Sequence, residues 1–188
     1  MASVFDIDAY LRQQLERKHG KLGLVQRHKL CYGVYRLGIA LMGDAPFFAT
    51  VEPWQLGPVF PELHSQPNLG GDLNALGGYQ RILCSVVTKR LAGISGKKLA
   101  ARSHRKYPEW RIAIECGERE IRTELIRSVS YDAAQMLPGF RQRIKLSASD
   151  RVQYVSRQLK ELFTLPGYEE LRACVEMTDQ CIQRSQPS

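Results

Sequence analysis

Four histidines are the side chains in this 188-residue sequence best suited to acid–base or metal chemistry: His19, His28, His64 and His104. Ser103 directly precedes His104, but sequence neighbours form a nucleophile–base pair only if the fold brings their reactive atoms together. We therefore interpret His104 as a histidine whose ring nitrogens bond to backbone carbonyls. His28 and Cys31 have a spacing that could share a metal, but no second pair of ligands accompanies them, so we expect no metal site and a satisfied core or boundary histidine at position 28.

The carboxylates and glycines indicate no reaction either. Glu52 and Glu62 have no second acid at the separation that glycoside hydrolysis requires. The glycine pairs at 70–71 and 77–78 are not followed by Lys-Ser or Lys-Thr, so they do not predict a phosphate-binding loop. The sequence favours a binding protein over an enzyme, with no catalytic residue and no cofactor.

Positive charge is the strongest compositional bias, with a net charge of +8 and a pI near 9.4. Residues 89–106 contain no acidic residue, and their cations are Lys89, Arg90, Lys97, Lys98, Arg102, Arg105 and Lys106. Two interpretations are open: a surface for nucleic acid or an acidic protein, and a solvated face that keeps the protein soluble. We favour the solvated face.

The remaining composition is that of an ordinary globular protein, with 44% hydrophobic and 24% charged residues. No apolar run approaches the ~20 residues of a membrane span, and the first residues lack the features of a secretory signal. Five scattered cysteines predict buried thiols rather than disulfides. We expect a cytoplasmic protein.

Apolar periodicity predicts a succession of helices. The clearest covers Leu24–Met42, where leucine and valine recur on one face, and we expect it at the centre of the core. The other predicted helices cover 4–18, 58–65, Tyr79–Leu91, 96–104 with Ser95 as cap, Glu118–Met136, 150–163 and 168–184.

The junction from Glu52 to Leu63 combines a tryptophan with closely spaced prolines and a glycine. We expect extended chain with a small two-stranded ribbon before it and a helix that starts at Pro58. Trp54 is predicted to wedge between helices. The segment after Pro108 is predicted to be a loop or a short extended piece, because Trp110, Ile112 and Ile114 alternate.

Several motifs together resemble one known family. They are Lys29-Leu-Cys-Tyr32, Trp54-x-x-Gly-Pro-Val-x-Pro61, Ser103-His104 and Pro108-Glu-Trp-Arg-x-Ala113. In order and spacing, residues 4–135 resemble the Panacea domain, a family of phage-associated proteins of the SocA and GepA type.

This resemblance implies a mainly α fold, a compact helical domain with a short β ribbon, which we place over residues 1–145. Beyond it we expect a C-terminal helical extension over 146–188; two amphipathic helices cannot bury their apolar stripes alone, so they dock on this domain or on another chain, and we favour an extension packed on the domain. It also implies an antitoxin that neutralises a cognate toxin by direct protein–protein binding. In the SocA type, neutralisation presents the toxin to a protease of the Clp class. The alternative is a phage or mobile-element regulatory protein that binds nucleic acid through its basic stretch.

If the function is partner binding, partly exposed aromatic residues and arginines should surround a water-excluded centre. The candidate partner-binding residues are Tyr32, Trp54, Phe60, Arg102, His104, Arg105 and Trp110.

Overall fold

A computed structural model of the chain describes residues 2–130. The chain divides into two units, Met1–Met136 and Leu137–Ser188, and the described residues belong to the first. The predicted helices at 150–163 and 168–184, and the predicted domain division after residue 145, lie outside the described residues.

Seven helices and one two-stranded ribbon form the described part of the chain. The helices are α1 (Val4–His19), α2 (Leu24–Met42), α3 (Pro61–Ser65), α4 (Gly78–Leu91), α5 (Gly96–Lys106), α6 (Pro108–Glu115) and α7 (Thr123–Val129). The strands are β1 (Glu52–Trp54) and β2 (Gly57–Val59), and a short 3-10 turn covers Leu73–Ala75. The predicted mainly α class with a short ribbon is confirmed for this region.

Helix α2 lies at the centre of the core, as its apolar periodicity predicts. Its leucine and valine stripe is fully buried, and it packs against α1, α4, α5, α7 and β2. Gly43 ends the helix in the left-handed conformation, its N–H donating to the carbonyl of Ile39. Most of the surface of α2 is covered by other elements. Its polar side chains can therefore be buried only where they have hydrogen-bond or charge partners.

Local signals fix the ends of two further helices. Ser3 and Asp6 form a reciprocal capping box at the start of α1: the Ser3 side chain accepts from the Asp6 N–H, and the Asp6 carboxylate accepts from the Ser3 N–H. Ser95 caps α5 by accepting from the Lys98 N–H, as the sequence predicts.

The ribbon is antiparallel, with Pro53 opposite Pro58 and Trp54 opposite Gly57. The prediction that Pro58 starts a helix is therefore wrong, since Pro58 lies in β2 and the first turn of α3 begins at Pro61. The fixed φ of proline is compatible with a strand and with the first turn of a helix. At Pro58, pairing with Pro53 across the turn selects the strand. Gly57, with φ +94°, makes that tight turn.

The predicted loop or extended piece after Pro108 is wrong, because α6 is helical with Pro108 in its first turn. The alternation of apolar residues is misleading here. Glu109 and Ala113, four residues apart on one helix face, are the buried positions, while Ile112 and Ile114 are exposed.

Helix α7 begins at Thr123 rather than at the predicted Glu118. Gly117, at φ +66°, ends the preceding turn. The chain then passes the segment just before β1, where the Ile121 N–H donates to the Val51 carbonyl at 2.8 Å. Burial of Ile121 holds this part of the chain in place. The far end of the predicted Glu118–Met136 helix lies outside the described residues.

Two remaining expectations concern cysteines and membranes. Cys31 and Cys84 are buried free thiols as predicted, but Cys116 is exposed, because it follows the last turn of α6 on the protein surface. Cys174 and Cys181 fall outside the described range. Within residues 2–130 no helix is both long enough and apolar enough to cross a membrane.

Candidate binding site

The family-like motifs, scattered along the sequence, meet at the centre of the fold. Lys29 Nζ on α2 donates to the Pro58 carbonyl of β2 at 2.8 Å, in a buried position. One turn further along α2, the Tyr32 hydroxyl donates to Glu109 on α6 at 2.7 Å. These two bonds tie the ribbon and α6 to the central helix, so the motifs have a clear architectural role.

Gly57 completes this junction because it has no side chain. A Cβ atom at this position would lie 3.0 Å from Lys29 Nζ and would collide with the Ser103 hydroxyl of α5. Ser103 is fully buried and donates to the Ala100 carbonyl at 2.7 Å. The close approach of α5, the ribbon and α2 therefore depends on glycine at residue 57.

A buried ion pair holds α6 against α2. Arg36 Nε lies 2.6 Å from Glu109 Oε1, and neither side chain has significant exposure to solvent. The Arg36 guanidinium also lies over the Tyr107 ring, 4.8 Å from its centroid. Burial, followed by the nearby Glu109 carboxylate, raises the pKa of Tyr32 well above its ordinary value, so its hydroxyl remains a donor.

A second buried ion pair joins α1 to α2. Arg27 donates to both carboxylate oxygens of Asp8, at 2.8 and 2.7 Å, and its guanidinium also donates to the Pro67 carbonyl. Sequence reasoning missed both pairs, since Asp8, Arg27, Arg36 and Glu109 look like ordinary surface charges. The signal available was the position of each arginine among the apolar residues of α2.

Two of the predicted partner-binding residues are not at the surface. Tyr32 and Phe60 are completely buried, and their rings pack against one another with centroids 6.5 Å apart. Phe60 also contacts Tyr35 and Phe47. The expectation that these two aromatics are partly exposed is wrong, because α2 and the ribbon enclose them.

Trp54 shows the opposite error. The side chain is 38% exposed rather than wedged between helices. Its indole donates to Glu52 Oε2 at 2.7 Å, and its ring meets His64 edge-on at 4.7 Å between centroids. The side chains of a two-stranded ribbon have only one covered face, and Trp54 is the last residue of β1, next to the turn.

His104 and Trp110 lie beside Trp54. Their rings stack with an interplanar angle of 2° and centroids 4.4 Å apart, and the Trp110 indole donates to the Trp54 carbonyl at 2.8 Å. The His104 Nε2 atom is buried without a hydrogen-bond partner. The predicted bonding of both His104 nitrogens to carbonyls is therefore wrong, and stacking is what holds the ring.

Three of the predicted residues thus converge on one surface, which we call the aromatic patch: Trp54, His104 and Trp110, with the neighbouring exposed Leu56 and Ile114. Arg102 and Arg105 are exposed on α5, the helix that carries His104. Arg111, which donates to the His104 carbonyl, was not among the predicted residues.

A pocket of about 560 Å³ opens beside the aromatic patch. Its walls are mainly apolar, and the lining residues are Leu24, Val25, His28, Lys29, Pro53, Trp54, Gln55, Leu56, Val59, His64 and Ile114. This volume lies within the range of small-molecule sites. The sequence analysis singled out no such pocket, because its lining comes from α2, the ribbon, α3 and α6.

His28 lines the pocket as a neutral imidazole. Its Nδ1 accepts from the Phe60 N–H at 3.3 Å, while Nε2 is buried without a partner. Burial, followed by the charge of Lys29, lowers the pKa of His28 from 6.5 to about 3. Because the accepting nitrogen cannot carry the proton, the neutral ring holds it on Nε2 as an unused donor. The expectation of a fully satisfied histidine is wrong.

Lys29 also lines the pocket, as do the polar side chains of Gln55 and His64. Burial lowers the pKa of the Lys29 amine from 10.5 to about 7. No carboxylate among residues 2–130 forms an ion pair with it, and its one bond is to the Pro58 carbonyl. The pocket therefore combines mainly apolar walls with polar side chains that include the His28 imidazole and the Lys29 amine.

In the part of the chain that the structure describes, no three His, Cys, Asp or Glu side chains come together in a way that could hold a metal ion. His28 and Cys31 do not serve as ligands together, since Cys31 is enclosed in the core while His28 lines the pocket.

Comparison with family models, curated proteins and solved structures finds no match to this chain.

Proposed function

We propose that this protein is an antitoxin-type binding protein that recognises a cognate toxin through the aromatic patch. The observation that supports the proposal is the meeting of Trp54, Trp110 and His104 at one exposed surface, beside a pocket and the arginines of α5.

The composition of the patch suits protein recognition. Tryptophan and arginine are the residues that most often dominate binding energy at interfaces, and they do so where surrounding contacts exclude water. Trp110 is preordered by its stack on His104 and its bond to the Trp54 carbonyl, so little side-chain entropy would be lost on binding. Exposed Leu56 and Ile114 extend the apolar surface towards the pocket.

The antitoxin role itself comes from the resemblance to the Panacea family. The residues that carry that resemblance hold the domain together: Lys29 donates a hydrogen bond to Pro58, and Tyr32 donates one to Glu109. A common scaffold with a variable outer surface is one way for related proteins to discriminate between partners. Delivery of the toxin to a Clp-class protease, as in the SocA type, is part of this proposal.

Co-expression tests the proposal directly. The neighbouring reading frame is expressed alone and together with this protein, and growth is measured. We expect toxicity that this protein relieves, and we expect the double variant Trp54→Ala/Trp110→Ala to relieve it no longer. The matched control is Phe48→Ala/Met42→Ala, which removes two exposed apolar side chains elsewhere. Equal loss in both variants, or full rescue by the tryptophan variant, would overturn the role of the patch.

Binding to nucleic acid is the second candidate, and α5 supports it. The helix contains no acidic residue, and its exposed cations are Lys97, Lys98, Arg102, Arg105 and Lys106. A salt titration of duplex DNA binding separates the candidates, because affinity that depends on phosphate contacts falls steeply with salt. Absence of binding at ~50 mM salt would remove this candidate.

A further inference from the structure

We propose that the pocket beside the aromatic patch binds a small carboxylic acid with an apolar tail, whose carboxylate is received by His28 Nε2 and Lys29 Nζ. This inference concerns a ligand of the isolated protein. The pocket shares Trp54, Leu56 and Ile114 with the aromatic patch, but the titrations below use no partner protein and so test the ligand separately.

The first argument is the unmatched donor. His28 is only 3% exposed, and its Nδ1 is already occupied by the Phe60 N–H. The remaining Nε2–H has no acceptor among the described residues, although leaving a buried donor unpaired is unfavourable. A ligand oxygen would satisfy it.

The second argument is the sign of the charge. Lys29 lines the same pocket, uses one of its protons on the Pro58 carbonyl, and has no acidic partner among residues 2–130. The lining residues include no aspartate or glutamate. A carboxylate supplies both the negative charge and the two acceptor oxygens that these donors lack.

The third argument is the character of the walls, which selects a small acid over a polypeptide. Leucine, valine, isoleucine, proline and tryptophan side chains form most of the surface. A peptide would bring backbone amides that such walls cannot satisfy, whereas a fatty acid brings only its carboxylate as polar atoms. The apolar tail would add to the affinity in proportion to the apolar surface that it removes from water.

Isothermal titration of the intact protein with octanoate and 1-octanol tests the proposal. The two probes share the same tail and differ in the carboxylate. We expect octanoate to bind at least about tenfold more tightly, the amount one charge-assisted hydrogen bond contributes. Absence of octanoate binding, or equal affinity for both probes, would overturn the assignment.

Two surface variants locate the site without disturbing the core. Leu56→Asp places a negative charge among the lining residues, at a side chain that is 56% exposed, and should weaken octanoate binding about tenfold or more. Leu69→Asp makes the same change at an exposed leucine outside the lining and should leave binding unchanged. Equal weakening by both variants would show general surface adsorption and contradict the proposal.

Lys29→Met, if folded by circular dichroism, should lose the preference for octanoate over octanol, and a retained preference would contradict the role of this lysine. If it does not fold, the result for Leu56→Asp decides.

A leucine-terminated peptide provides the last comparison. Tighter binding of its free-carboxylate form than of octanoate would assign the pocket to a polypeptide terminus and overturn the small-acid proposal.

Discussion

Glu109 Oε1 lies 2.6 Å from Arg36 Nε and also accepts the Tyr32 hydroxyl, deep between α2 and α6. This carboxylate thus balances the charge of an arginine that is enclosed in the central helix. The ion pair joins α2, which apolar periodicity predicts well, to α6, which it predicts wrongly. It also explains why the Glu109 side chain, directly after Pro108, faces inward.

Removing that charge should destabilise the fold strongly. Glu109→Gln keeps the volume but removes the buried carboxylate that pairs with the Arg36 guanidinium, and we expect a loss of about 3–5 kcal/mol in the free energy of unfolding. Urea unfolding measures it. Glu118→Gln, which breaks an exposed pair with Arg122, is the control and should change stability little. Similar losses in the two variants would contradict a special role for the buried pair.

Gly57→Ala should also destabilise the protein. Gly57 has φ +94°, and an added Cβ would meet Ser103 and Lys29, so both backbone strain and collision oppose the substitution. The strain alone costs about 1–3 kcal/mol. The matched control is Gly93→Ala, where an added Cβ meets nothing within 4 Å and φ is not positive. If thermal unfolding shows that Gly57→Ala is as stable as this control, the proposed close approach is refuted.

Lys29 should make stability depend on pH. Its pKa falls from 10.5 unfolded to about 7 folded, so between these values the unfolded chain binds more protons at this residue. The contribution of Lys29 to the free energy of unfolding should therefore rise with pH across that window, by at most about 1.4 kcal/mol per pH unit.

Lys29→Met provides the reference for that measurement, because all other titrating groups are common to both proteins. Urea unfolding of each at pH values from about 7 to about 9 should show the difference, natural protein minus variant, growing with pH. A constant difference would mean that the lysine keeps its ordinary pKa and is not buried as described.

Two aromatic substitutions should separate exposure from burial. Phe60→Ala, at a fully buried ring in contact with other aromatics, should cost about 3–5 kcal/mol. Trp54→Ala should cost only about 1–2 kcal/mol, less than a wedge between helices would, because the indole is 38% exposed. Denaturant unfolding of the two variants checks the order. A larger loss in the free energy of unfolding at Trp54 would support its predicted position between helices.

Local signals in the sequence determined most of the helices. The apolar stripe of α2, the Ser95 cap and the glycine after Met42 act over a few residues, so each can be recognised without knowing the rest of the fold. The mainly α class follows from them. Of the residues predicted to bind a partner, Trp54, His104 and Trp110 come together, whereas Tyr32 and Phe60 are buried.

Tertiary structure decided what local pattern could not. Whether Pro58 opens a helix or pairs in a strand depends on Pro53 across the turn, and whether Glu109 faces inward depends on Arg36, 73 residues away. Exposure is likewise a property of the packed fold, which covers Phe60 and leaves Trp54 open. The pocket is the clearest case. His28 and Lys29 are adjacent in sequence, but only the ribbon, α3 and α6 packed around them form a mainly apolar cavity lined by a buried amine and by an imidazole whose Nε2 has no partner among the described residues.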